Sequence, residues 1–265
     1  MAANTDKSYS KLLKTRKRRN AKRKFFLFLR IMAIAVFFAG LLWIFNYFYN
    51  SDYFKIKSIE VTGNLKYQKE EIQKEAEIAV GTNIFEIDKK YIEDKLLDRF
   101  IWLKSVQLKK IFPDRISIGL LERKPFIKAV YGGSYYIMDN EGIVLDITDD
   151  GSSGTYGGLI AVKNGLSYKP ETGEKIAKKG MLACGDIYAS FDENIRKIIK
   201  EAYLTESFPE DIVFLTFDGK QIIYGSSDGL AVKNEILDLV LNKIEKENIS
   251  YSAIDLRDTD NPLIK

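Results

Sequence analysis

The chain has 265 residues, 46% of them hydrophobic and 29% charged, and a net charge of +4. It holds no histidine and a single cysteine, Cys184. Those counts exclude a disulfide framework, a thiolate zinc cluster and any chemistry built on an imidazole base.

Residues 1–24 carry ten Lys or Arg against one acid, Asp6. No aromatics interleave the dense run Lys14–Lys24, so bases would have nothing to stack on. The run reads as topogenic charge attracted to anionic lipid, not as a nucleic-acid site. Residues 25–49 form the predicted transmembrane helix. Its centre, Ile31–Tyr49, has nineteen residues and no charge. As a helix it would span roughly 28 Å at ~1.5 Å per residue, close to the hydrocarbon thickness of a bilayer. Arg30 can snorkel at one end, while Trp43, Tyr47 and Tyr49 sit toward the other as interfacial aromatics. From residue 31 onward the acids outnumber the bases by six. The positive-inside rule therefore puts the tail in the cytoplasm and the C-terminal bulk outside, a single-pass type II arrangement. A cleaved signal peptide would need a shorter apolar run and a small-residue site, which Phe48-Tyr49-Asn50 does not offer.

Beyond the helix, Lys55–Thr62 alternates and stops at Gly63-Asn64, which predicts a strand and a turn. Lys69–Ala79 reads as a helix, with Ile72, Ala76 and Ala79 at helical spacing and Glu70 and Glu71 early. Gly81-Thr82-Asn83 breaks it, and Ile84 and Phe85 follow as apolar plugs. Asp88 is a candidate N-cap for a second helix through Phe100, with Ile92, Leu96 and Phe100 on one face. Two strands follow, Trp102–Lys110 and Ile116–Glu122, joined by Phe112-Pro113-Asp114. The order β-α-α-β-β over residues 54–124 predicts one small sheet covered by two helices.

Residues 125–265 are long enough for a core of their own. Ala129–Tyr131, Tyr135–Met138 and Ile143–Asp146 predict a meander across two turns. Gly151–Gly158 is a glycine-rich loop without the phosphate-cradling pattern. Lys178–Tyr203 reads as helix, interrupted near Gly185 and re-capped at Asp192. Ile212–Phe217 and Gln221–Tyr224 make a hairpin. Leu230–Glu247 is a long helix whose stripe is Ile236, Leu239, Val240, Lys243 and Ile244. Tyr251–Leu256 and Leu263–Lys265 are final strands. The expected fold class is membrane-anchored α+β: one N-terminal transmembrane helix, the β-α-α-β-β module, then a mixed α/β domain with an antiparallel sheet.

Phe54-Lys-Ile-Lys-Ser-Ile-Glu-Val-Thr-Gly-Asn64, following a basic tail and an anchor, resembles the opening of a POTRA domain of the FtsQ/DivIB type. The resemblance continues through Gly81-Thr-Asn-Ile-Phe85, Trp102-Leu-Lys-Ser-Val106, Phe112-Pro-Asp-Arg-Ile116 and Glu122-Arg-Lys-Pro125. Ile254-Asp-Leu-Arg257 is similar to a strand near the end of that family's second domain, and residues 156–208 carry little of the likeness. The resemblance implies a non-catalytic scaffold of the bacterial divisome, concentrated at the septum. It would bind bitopic division proteins of the FtsL and DivIC/FtsB type and, through them, regulate the septal penicillin-binding protein. The expected departure from the family is a short end, the chain stopping soon after Pro262.

A terminal strand can accept a partner by β-augmentation. The residues expected to form that surface are Tyr251, Ala253, Ile254, Leu256 and Arg257, with Leu263 and Ile264 beyond; Asp255 and Arg257 are expected to pair. No catalytic, cofactor-binding or metal-binding residue is expected. Cys184, in an apolar run, reads as a buried hydrophobe. Ser8 and Lys11 have catalytic spacing but lie in the tail. Two other functions stand as alternatives. A cell-wall enzyme would have to rely on carboxylates such as Glu174 or Asp186. A POTRA-type transport module would need many barrel strands that the remaining residues do not supply.

Overall fold

The computed structural model describes residues 3–151, 154–176, 178–205 and 211–265, with side chains from Lys24 onward. The side chains of the tail, including Ser8 and Lys11, lie outside the described residues, as do Ser152 and Ser153 of the glycine-rich loop. The chain divides into two compact units. One comprises residues 1–62, 69–93 and 107–119, and the other residues 63–68, 94–106 and 120–265.

In the first unit, helix α1 (Ala3–Tyr49) continues the tail without a break. Its stretch Lys24–Tyr49 holds an 18-residue window of mean hydropathy 2.5, none of it buried, so it is long and apolar enough to cross a membrane. Ser51 caps a 3-10 turn at Asp52–Phe54, and β1 follows at Ser58–Thr62, shorter than the alternation suggests. Ile56 is taken out of the strand because its N–H and C=O bond to Thr82 and Gly81 in the loop after the next helix. Helix α2 (Lys69–Ala76) stops before the expected Ala79 because Glu77 turns left-handed at φ 51°. Ile84 is a buried plug, but Phe85 stays half-exposed. Helix α3 (Lys89–Arg99) begins where Asp88 accepts a hydrogen bond from the N–H of Tyr91. Strands β2 (Leu103–Ile111) and β3 (Arg115–Glu122) complete a three-stranded sheet in the order β1-β3-β2. Strand β1 runs parallel to β3, with Ser58 opposite Arg115 and Thr62 opposite Gly119. The element order is the β-α-α-β-β read from the sequence.

The second unit is built on a sheet of order β12-β11-β10-β9-β8-β7-β4-β5-β6. The meander is β4 (Ile127–Tyr131), β5 (Ser134–Met138) and β6 (Val144–Thr148). Its second turn is fixed by Asp139, whose Oδ1 accepts from the N–H groups of Glu141 and Ile143 at 2.9 and 2.8 Å. Two elements differ from expectation. Ile160–Lys163 is a strand, β7, in a stretch where alternation is too short to be visible. Ile199–Leu204 is also a strand, β8, not the end of a helix. Ile199, Ala202 and Leu204 are buried there, so the demand for a sheet neighbour between β7 and β9 overrides helical propensity. Strand β7 pairs parallel with both β4 and β8, so the sheet is mixed.

Helix α4 (Lys179–Ser190) runs straight through Gly185. A Cβ there would lie 2.4 Å from the Phe126 ring and 2.7 Å from Ile127, so the glycine serves close packing of helix on sheet. The chain breaks instead at Phe191, and Asp192 caps the short helix α5 (Glu193–Ile198) by accepting from the Ile195 N–H at 2.8 Å. The core contains Phe191, Phe214 and Tyr224, which meet edge-on with centroids 5.1–6.1 Å apart. Burial of each such ring is worth roughly 1.5–3 kcal/mol.

Cys184 is fully buried in this core, and desolvation pushes its thiol up to about 12. The native protein should therefore resist thiol-modifying reagents at neutral pH and react stoichiometrically after denaturation; mass spectrometry of iodoacetamide-treated protein reads this directly. Gly185→Ala should cost about 1–3 kcal/mol by overpacking, seen as a lower midpoint in urea.

Candidate functional site

The far end of the second sheet is formed by β9 (Ile212–Thr216), β10 (Gln221–Gly225), α6 (Leu230–Glu247), β11 (Ala253–Asp255) and β12 (Leu263–Ile264). Gly219, at φ 84°, turns β9 into β10. Strand β10, helix α6 and strand β11 make a parallel crossover, with Ile222 opposite Ile254. Helix α6 starts after Gly229 and ends at Asn248, both left-handed. Its buried stripe is Lys233, Leu237 and Ile244, with Ile236 and Val240 partly buried. Leu239 and Lys243, expected in the stripe, are exposed. Lys233 enters the stripe because its ammonium is satisfied by the carbonyls of Tyr224 and Ser226 at 3.1 and 2.9 Å. Burial lowers its pKa.

Strand β12 lies antiparallel on β11, with Ile254 opposite Ile264 and Asp255 opposite Leu263. Lys265 exchanges backbone hydrogen bonds with Ala253 at 2.8 and 3.1 Å. In an antiparallel ladder this alternation turns the N–H and C=O of Ile264 away from β11, toward the open edge. Asp255 holds the arrangement. Its carboxylate receives Arg257 Nε at 2.9 Å and Nη2 at 2.8 Å, and Lys265 Nζ at 3.2 Å. Arg257 also reaches Asp211 at 3.5 Å. The side-chain hydrogen bond from Arg257 holds the Asp255 carboxyl far below the usual carboxylate range. The stem of Arg257 lies over Gly225, where a Cβ would stand 2.9 Å from its Cγ.

The structure sorts the predicted surface into two sets. Ala253, Ile254 and Leu256 are buried, Ile254 completely, and their side chains belong to the core. Leu263 and Ile264 are 47% and 37% exposed. Tyr251 is half-buried under the Lys220 ammonium, which sits 4.3 Å from its ring centroid. Arg257 is paired with Asp255, as its sequence position suggested. Val232 and Leu239, which sequence reasoning did not assign to a surface, are exposed on α6. Their spacing with Ile236, at i, i+4 and i+7, marks one helix face.

In the first unit, Arg30 is exposed near the start of the apolar stretch, and Trp43 and Tyr47 stack one turn apart with centroids at 5.9 Å. Tyr49 stacks on Phe45 at 6.0 Å. Among the carboxylates weighed for catalysis, Glu174 accepts hydrogen bonds from the Tyr168 hydroxyl and the Glu171 N–H, which hold its pKa down. Burial alone raises that of Asp186.

Residues 54–123 match the family model described as POTRA domain, FtsQ-type. A cell division protein FtsQ from Syntrophotalea carbinolica is 32% identical over 122 residues, covering 46% of this chain and 40% of the relative. An FtsQ from Streptomyces griseus is 21% identical over 197 residues, covering 74% and 91%. A cell division protein DivIB from Clostridium tetani is 25% identical over 220 residues, covering 80% and 79%. The chain thus spans less than half of the Syntrophotalea protein but most of the other two.

Because the folded-state pKa of Asp255 is depressed, its contribution to stability is fully present above the unfolded value of ~3.9. It is lost as pH falls through the folded value. Asp255→Asn should lose about 1.5–3 kcal/mol at neutral pH, the range for a hydrogen bond to a charged group. The gap from the unsubstituted protein should close as the pH drops below ~4. Urea denaturation at a series of pH values measures both.

Proposed function

We propose that the chain is a cell-division protein of the FtsQ/DivIB type and a non-catalytic scaffold of the divisome, a reading supported by its FtsQ-type POTRA match and its likeness to FtsQ and DivIB proteins. Its single apolar helix anchors it in the cell membrane, with the basic N-terminus cytoplasmic and the C-terminal bulk extracytoplasmic. It gathers bitopic proteins of the FtsL and DivIC/FtsB type at the septum and acts through them on the septal peptidoglycan synthase.

The observation that carries this reading is the difference between the two edges of the second sheet. The β6 edge is covered: Val144 exchanges backbone hydrogen bonds with Gly173 and Glu174, and the Tyr156 hydroxyl donates to Asp146 at 2.7 Å. The β12 edge presents the backbone of Ile264 with exposed Leu263 and Ile264 side chains. An extended partner segment can add a strand there, its backbone bonding Ile264 and its side chains meeting Leu263 and Ile264. An adjoining helical segment of the same partner has the Val232, Ile236 and Leu239 face to meet. The linear strand order, with two ends, supports a binding module over a barrel-associated transport module.

A fluorescent fusion should collect at mid-cell before constriction begins. In a pull-down with an FtsL- or DivIC-type partner, Ile264→Pro removes one outward donor, and Leu263→Glu puts a charge where an apolar side chain lay. Each should weaken capture about tenfold or more, an apolar side chain being worth ~1.5–3 kcal/mol. Ile254→Glu tests something else, since a charge in the core should unfold the unit. Normal capture by both edge variants, with the fold intact by circular dichroism, would overturn the edge reading.

A further inference from the structure

The first unit carries a second exposed apolar surface, and it is continuous with the membrane helix. The rings of Tyr49, Phe85 and Phe112 form a chain in space: Tyr49 stacks on Phe85 with centroids at 6.4 Å, and Phe85 lies 5.4 Å from Phe112. Phe54 joins from the side, 5.2 Å from Phe85, 5.2 Å from Tyr53 and 6.2 Å from Phe48. These rings are not a closed core. Phe85, Phe112 and Tyr53 are 45%, 54% and 61% exposed, and Ile111, next to Phe112 in sequence, is exposed too. A contiguous exposed patch of this kind marks a surface with an occupant.

The position of the patch is fixed, not fluctuating with a linker. The Nδ2 of Asn83 donates to the carbonyl of Tyr49, the last residue of α1. The loop bearing Phe85 is zipped to the segment leaving the helix by Ile56 N–H to Thr82, Gly81 N–H to Ile56 and Ile84 N–H to Phe54, at 2.8–3.0 Å. Whatever depth Tyr49 takes, Phe85 shares it within one ring contact and Phe112 within two. Tyr49 ends the uncharged stretch, so that depth is the headgroup boundary, where aromatic rings are favoured.

The charges fit the same occupant. Asp52 and Asp114, two of the acids beside the patch, are paired with Lys55 and with Lys57, at 2.5 and 2.7 Å, and the third, Glu86, accepts a hydrogen bond from the Tyr49 hydroxyl at 3.5 Å. Lys109 is exposed two residues before Ile111 on the same face of β2. A surface of aromatic tips and exposed lysine, with its two flanking aspartates paired, suits lipid headgroups.

We infer that the loops Gly81–Phe85 and Ile111–Pro113 insert their aromatic tips into the outer-leaflet interface, so that the first unit rests on the membrane beside its own anchor. This rests on α1 spanning the bilayer, and the test separates the two. The full chain is reconstituted in vesicles of phosphatidylethanolamine and phosphatidylglycerol, with single nitroxide labels at Leu41→Cys, Phe85→Cys, Phe112→Cys and Lys74→Cys. The buried Cys184 stays unlabelled. Accessibility is compared for oxygen, which concentrates in lipid, and a water-soluble nickel chelate. Positions 85 and 112 should fall on the oxygen side with 41, while 74, on the exposed face of α2, falls on the nickel side. As a second readout, Phe112→Trp in a W43F, W102F background should lose fluorescence to lipids brominated near the headgroup. Nickel-side labels at 85 and 112 with 41 still on the oxygen side would overturn the inference and leave the patch to a protein partner. A nickel-side label at 41 would overturn the anchor and the inference together.

Discussion

The outer end of the second sheet depends on one nearly buried carboxylate. Asp255 is only 6% exposed, and an unpaired charge at that depth would cost several kcal/mol. It is held by a bidentate guanidinium and an ammonium, and the ammonium belongs to Lys265, directly after β12. A two-residue strand makes too few backbone bonds to stay in place by itself. Asp255 therefore fixes the register of β12, and the register decides which backbone groups Ile264 turns outward. The core below it, Ile254 against Ile222 and Leu256 against the helix stripe, keeps Asp255 from moving.

Sheet edges are a liability, and this sheet treats its two edges differently. The β6 edge is closed by a loop and a tyrosine, as an edge without a partner should be. The β12 edge stays open but is short, which limits indiscriminate pairing with another copy. On the proposed reading, a partner at so short an edge would be recognised through side chains such as Leu263 and Ile264 more than through backbone length.

Much of the molecule is legible in its sequence because the signals are local. The uncharged run, the alternation in β2 and β3, the glycine turns at Gly63, Gly142 and Gly219, and the Asp88 and Asp192 caps each encode one element. Sequence reasoning fails where a distant neighbour decides. Ile199–Leu204 has a pattern compatible with a helix, and it is a strand because β7 and β9 leave a place for one. Gly185 reads as a helix breaker, yet it is the contact point for Phe126. The parallel pairings of β4, β7 and β8 have no sequence signature. In the candidate site, Ile254 and Leu256 were recognisable as strand residues, but only the packing of α6 on that face shows that their side chains point inward. The exposed half of the surface falls to Leu263 and Ile264.

The membrane end shows why a polar residue and an aromatic share one short loop. The last carbonyls of a helix lack intrahelical partners and need them from elsewhere. Asn83 is 8% exposed, and its side chain caps the carbonyl of Tyr49 while its Oδ1 accepts the N–H of Phe85 at 2.9 Å. One side chain thus closes the helix and orients the loop that carries Phe85 against Tyr49. Replacing Asn83 by an apolar residue of similar size would leave both backbone groups without that partner, and the loop would be held by its backbone bonds to Phe54 and Ile56. The POTRA-type module follows its anchor closely because the anchor's last carbonyl is satisfied from within the module. A longer, flexible linker would leave that carbonyl to water and the aromatic patch free of the helix end.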